Sequence, residues 1–199
     1  MKLVSKLLLI FFMLGLISVC LPQKVLAELS EVEISSIQSF QLNQSKANQG
    51  DANAQFNLAL LYYNGIGTPQ DYKQAFFWYT KAAEQGHVNA QYKLGSLYHD
   101  GYGKEVRKDL KLAVYWLTKA AEQGLVNAQY SLGHMYEYDD EPPQDYKQAF
   151  FWYTKAAEQG HHFAKESRDE MLEKMSQSQI EEVQKLSKEL YEKIYNKAK

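Results

Sequence analysis

The residues able to carry acid–base or metal chemistry in this chain are five histidines, His87, His99, His134, His161 and His162, and scattered carboxylates, of which Asp139-Asp140-Glu141 is the densest group. None falls into a spacing that such chemistry requires. A zinc hydrolase needs His-Glu-x-x-His, an activated serine needs a Gly-x-Ser-x-Gly turn, and a phosphate cradle needs its glycines followed by Lys and Ser or Thr. The 199 residues contain none of these. His161 and His162 point about 100° apart if helical, so as a metal site they would need outside ligands. His87 and His161 each follow a helix-ending glycine, where serving a helix terminus is the expected role. Paired acids separate into acid and base only on burial, and Asp139-Asp140-Glu141 is expected in a solvated loop. The lone Cys20 lies in the N-terminal segment, so thiol catalysis has no residue to use once that segment is removed. The reading is a non-enzyme with no metal and no cofactor.

The chain is equipped instead for binding and packing, with 15 Tyr, 9 Phe and 3 Trp at recurring positions. Residues 69–87, PQDYKQAFFWYTKAAEQGH, recur letter for letter at 143–161, and a diverged copy, KDLKLAVYWLTKAAEQGL, occupies 108–125. Trp78, Trp116 and Trp152 hold one repeat position, and Gly50, Gly86, Gly124 and Gly160 mark a period of two-helix length. In the first helix of each unit Ala54/Leu58/Leu61/Tyr62, Ala90/Leu94/Leu97/Tyr98 and Ala128/Leu132/Met135/Tyr136 share a face that must be core. Asp71, Asp109 and Asp145 stand as N-caps of the second helix, with Gln74 and Gln148 as capping-box partners. Along that helix Ala75, Tyr79, Ala82 and Ala83 line one face with Trp78 at its flank. Phe77, Tyr115 and Phe151 lie nearly opposite, either as an exposed aromatic row or as packing between successive outer helices.

The run A-Q-x-x-L-G-x-x-Y, then G-x-G, then D-x-x-x-A-x-x-W-x-x-K-A-A-E-Q-G resembles the Sel-1-like repeat family, relatives of the tetratricopeptide repeat. The resemblance covers residues 50–160 in three units. It implies an all-α, right-handed α-solenoid of antiparallel helix pairs with helical caps. Two departures stand out: Ala59 replaces the small glycine of the first helix in unit one, and Asp139-Asp140-Glu141-Pro142-Pro143 replaces the Gly-x-Gly loop in unit three. The implied organisation is a cleaved signal at 1–27, an N-terminal capping helix at 28–49, repeats at 50–85, 86–123 and 124–159, and a partial fourth repeat with a C-terminal capping helix at 160–199. In the N-terminal cap Phe40 and Leu42 align with Phe76 and Trp78, and Ser176 with Gln179 forms a capping box for the last helix.

Residues that differ between otherwise similar units fall on the other side of the first helices: Asn57/Lys93/Ser131, Leu60/Ser96/His134 and Tyr63/His99/Glu137, beside Phe56/Tyr92/Tyr130. Stacked units would align them along one concave wall. In arrays of the tetratricopeptide type, such a wall holds extended peptides or partner helices. Asn53, Asn89 and Asn127 would either clamp a ligand backbone or bond locally near the helix start. The resemblance therefore implies a scaffold that binds a protein or peptide and acts as a monomer. It also permits a secreted host-directed effector and, more remotely, a β-lactam- or peptidoglycan-related enzyme, for which the chain lacks Ser-x-x-Lys.

The N-terminus decides the expected compartment. Lys2 and Lys6 precede the apolar run Leu7–Leu21, and Val25-Leu26-Ala27 ends in a small residue, the layout of a signal peptide cleaved after Ala27. The run is 15 residues, short of the roughly 20 that span a bilayer. Cys20 suggests lipidation, against which Val19 counts because a small residue should precede the cysteine. The expectation is an exported bacterial protein, periplasmic or secreted, without a stable membrane span after cleavage. A net charge of −2 gives no field for nucleic acid.

Overall fold

The computed structural model describes residues 30–102, 106–139 and 144–195. The expected signal segment at 1–27, Gly103 and most of the acidic third loop lie outside the described residues. Within them the regular elements are helices: α1 Glu31–Asn48, α2 Ala52–Asn64, α3 Tyr72–Glu84, α4 Val88–Asp100, α5 Leu110–Glu122, α6 Val126–Tyr138, α7 Tyr146–Glu158, α8 His162–Lys174 and α9 Gln177–Tyr195. The chain divides between Ala82 and Ala83 into two compact units.

Helices α2 to α8 are each 13 residues long, and all but α6, whose N-cap Leu125 makes no side-chain bond, start at a capping side chain. Asp51, Asp71, Asp109 and Asp145 accept backbone N–H bonds from Ala54, Gln74, Leu112 and Gln148 at 2.7–3.1 Å, satisfying donors that a helix start leaves orphaned. At the far end, Gly50, Gly86, Gly124 and Gly160 have φ between 88° and 94°, a conformation in which a side chain is strained. His87 and His161 cap the helix that follows rather than the one that ends: their Nδ1 atoms accept from Ala90 and Ala164 N–H at 3.2 and 3.1 Å. The expected helix-terminus role is present, at the opposite pole.

In the first unit α1 packs on α2 through Phe40, Ala47, Ala54 and Leu58, with Leu61, Tyr62 and Trp78 against them. The Phe40 ring meets Tyr62 edge-on at 5.3 Å. Leu42, aligned by sequence with Trp78, is exposed instead, two residues from Phe40 and therefore on another face of α1. Ser30 and Glu33 form a reciprocal capping box at the start of α1.

In the second unit α4 and α5, and α6 and α7, form antiparallel pairs. Gly95 faces Leu117 and Gly133 faces Tyr153, and a Cβ there would come within 2.7 Å of Leu117 Cγ and 2.5 Å of Tyr153 Cδ1. The missing side chains permit this close approach. Ala113, Leu117, Ala120, Ala121, Ala128, Leu132, Met135, Phe151 and Trp152 make one core; Ala149, Phe150, Tyr153, Ala156, Ala164, Met171 and Val183 make the next. Trp152 is buried, while Trp78 and Trp116 are half-buried. Ser176 and Gln179 exchange the capping-box bonds at the start of α9, which packs on α7. Phe151 is therefore buried rather than part of an exposed row, whereas Phe77 and Tyr115 are exposed.

Candidate functional site

The side chains proposed to face a ligand stand on first helices that are fixed from behind by buried glutamines. Gln55, Gln91 and Gln129 donate Nε2–H to the carbonyls of Ala47, Ala83 and Ala121 at 3.1–3.2 Å, satisfying the last turn of the preceding helix. In the second unit Gln123 and Gln159 donate in turn to the Oε1 atoms of Gln91 and Gln129, both at 2.8 Å. This ladder sets the position of each first helix. Its glutamine lies inside the repeated Ala-Gln motif, but a sequence pattern does not show which carbonyl such a side chain reaches.

On that support, Asn89, Lys93, Asn127 and His134 are exposed, and Tyr92, Ser96, Tyr130 and Ser131 half-buried. Ser96, Tyr130, Ser131 and His134 come together with His99 and Asp100 around a depression of about 200 Å³ whose lining includes the buried Leu117 and Met135. The hydroxyls of Ser96 and Ser131 donate to the carbonyls one turn back, Tyr92 and Asn127, at 3.1 and 2.9 Å. Both remain able to accept. Tyr92 packs against the core of its unit, and Tyr130 stacks on His161 with ring centroids 4.5 Å apart. His134 lies 4.8 Å from the Tyr138 ring, at the open side. In the first unit Asn53 and Asn57 are exposed and Leu60 is half-buried, while Phe56 packs on Tyr79 at 5.8 Å, as Tyr130 does on Tyr153.

One pairing at this site was not legible in the sequence. His99 Nδ1 lies 2.7 Å from Asp100, and its Nε2 lies 3.1 Å from Asp139, 40 residues away. Each ring nitrogen faces a carboxylate, so His99 bridges the C-terminal ends of α4 and α6. Asp139 is accordingly half-buried and paired, not a member of a freely solvated acidic loop. Below it the Tyr153 hydroxyl donates to Glu137 at 2.8 Å, and burial with this nearby carboxylate pushes the phenol well above its usual range. No group of three or more metal-ligating side chains occurs among the described residues.

The geometry is that of a helix-pair repeat with a polar-rimmed seam between first helices. The Sel1 repeat model matches residues 52–87, 88–125 and 126–161, and the chain belongs to the Sel1 repeat family. Among solved structures it is similar to c5321, a protective antigen of uropathogenic Escherichia coli with an SLR fold, at 35% identity and a TM-score of 0.64 over 82% of this chain and 34% of that one. It is also similar to a Sel1 repeat protein from Oxalobacter formigenes, at 31% identity and a TM-score of 0.62 over 67% of this chain and 54% of that one. The chain thus spans about a third to a half of the length of these relatives. No curated protein matches it. The all-α solenoid class implied by the repeats is the class of the family, and Sel1-repeat proteins are generally non-catalytic scaffolds that bind other proteins. No helix among the described residues is long and apolar enough to cross a membrane.

Proposed function

We propose that this protein is an exported, non-enzymatic scaffold that binds a protein or peptide partner at the seam between the first helices α4 and α6. The observation that carries the reading is the depression itself. Leu117 and Met135 supply an apolar floor, and Ser96, Ser131 and His134 supply polar groups at the rim. That combination suits a side chain of an extended peptide, with its backbone amides left to the rim. Lys93, exposed one turn before Ser96, favours an acidic group on the ligand.

The test is selection of peptide ligands from a random display library on the immobilised chain, followed by calorimetry. Replacing Lys93 and His134 together with Ala should weaken the selected peptides by tenfold or more, about 1.4 kcal/mol, without altering the thermal melt. Both side chains are exposed, so loss of fold is not the expected cause. Peptides that bind the double variant and the parent equally would place the binding site elsewhere. Export rests on the Lys2/Lys6, Leu7–Leu21 and Val25-Leu26-Ala27 layout. N-terminal sequencing of the protein from its native cell should begin at Glu28, and retention of Met1 in cytosolic protein would refute it.

A further inference from the structure

Helices α3 and α7 consist of the same thirteen residues, YKQAFFWYTKAAE. On α7 one outer face is occupied. Lys147, Phe151, Thr154 and Lys155, spaced i, i+4, i+7 and i+8, lie on one side of the helix, and α9 crosses them. Lys147 Nζ pairs with Glu182 at 2.8 Å, the Lys155 ammonium sits 4.4 Å from the centre of the Tyr191 ring, and Phe151 is fully covered. Val183 joins the core beside Phe150, while Leu186 and Leu190 line the seam beside Lys147 and Gln148.

On α3 the same four positions are Lys73, Phe77, Thr80 and Lys81. Phe77 is 47% exposed, both lysines are exposed, and Lys81 rests 5.8 Å from the Phe77 ring centre. We infer that this face of α3 is a docking site for an amphipathic helix supplied by another polypeptide, with the chemistry of α9. The helix would carry a carboxylate for Lys73, an aromatic ring nine residues later for Lys81, and aliphatic residues between them for Phe77.

The inference rests on chemistry that this molecule already uses. A helix face is defined by its side chains and their 100° spacing, and here both are identical to a face that binds a helix. The chain's own α9 is held on α7 through a short connection from α8, at an effective concentration on the order of millimolar, so it is not the natural occupant of α3. Helix α5 repeats the pattern as Lys111, Tyr115, Thr118 and Lys119, but a tyrosine there would need a partner for its hydroxyl once covered. Phe77 has no such requirement. The site is separate from the seam between α4 and α6, and either can fail without the other.

The test is a fluorescein-labelled peptide of residues 176–195, titrated by anisotropy into the full-length chain with its own α9 in place. Saturable binding is expected, weak because a free 20-residue peptide is only partly helical. Phe77→Ser should weaken it tenfold or more. Lys73→Glu should also weaken it, and a peptide carrying Glu182→Lys should restore binding to that variant, which a merely structural role for Lys73 would not produce. Absence of binding up to about 1 mM, or equal binding to Phe77→Ser, would overturn the proposal. So would a dependence on Tyr115 in place of Phe77. Self-association of the unlabelled chain that Phe77→Ser abolishes would assign the face to a second copy, and would likewise overturn it.

Discussion

Helices α3 and α7 start from one sequence and end in different surroundings. Phe77 is 47% exposed, but Phe151 is at 0%; Phe76 and Trp78 are half-buried, but Phe150 and Trp152 are buried. The Thr80 hydroxyl donates to Phe76 O at 2.9 Å, whereas Thr154 Oγ1 is buried without a protein partner. What does not change is equally informative. Ala75 and Ala149, like Tyr79 and Tyr153, are buried in both helices. The inner face is set by the helix's own pair, and the outer face by whatever later segment crosses it. A repeated sequence therefore specifies half of its environment.

The same substitution made in both helices should have very different costs. Phe151→Ala removes a ring buried under α9 and should cost about 3–5 kcal/mol, while Phe77→Ala should stay within about 0.5 kcal/mol. Chemical denaturation of the two variants measures the difference. Equal costs would mean that α9 does not cover α7 in solution.

A smaller effect separates the pairs by how closely they approach. Gly133→Ala presses a methyl group onto the Tyr153 ring and should cost about 1–3 kcal/mol. Gly95→Ala meets Leu117 less closely, at 2.7 Å from Cγ and 3.1 Å from the backbone nitrogen, and should cost less. In the first unit Ala59 already fills the equivalent position and is buried. If Gly133→Ala and Gly95→Ala melt together with the parent, the close approach of α6 to α7 and of α4 to α5 is not a constraint.

The smallest effect compares helix starts. Asp51 caps α2 with a carboxylate, whereas His87 caps α4 with a neutral ring nitrogen. Burial holds the His87 imidazole below its usual pKa of 6.5. The stability it contributes is thus complete above about pH 6.5 and is lost as pH falls through the lowered folded value. A cap is worth about 0.5–2 kcal/mol, so the melting temperature should fall modestly between pH 7.5 and 5. His87→Asn keeps an acceptor that does not titrate and should reduce that fall. An identical pH dependence in the variant would show that other groups account for it.

The local half of this protein is written in its amino-acid order. Apolar spacing marked the helices and their paired faces, and Asp and Gly marked their ends, because each is a relation between residues a few positions apart; the identical runs at 69–87 and 143–161 marked the repeat. The side of α4 and α6 that carries Lys93, Ser96, Ser131 and His134 was legible on the same ground. Tertiary structure alone settled that Gln123 and Gln159 reach Gln91 and Gln129 across 32 and 30 residues, that His99 pairs with Asp139 across 40, that Leu42 is left outside, and that Phe151 is buried when Phe77 is not. Those outcomes depend on which distant segment arrives at a face. A helix encodes the chemistry it offers at its surface; coverage of that surface is a property of the chain that crosses it.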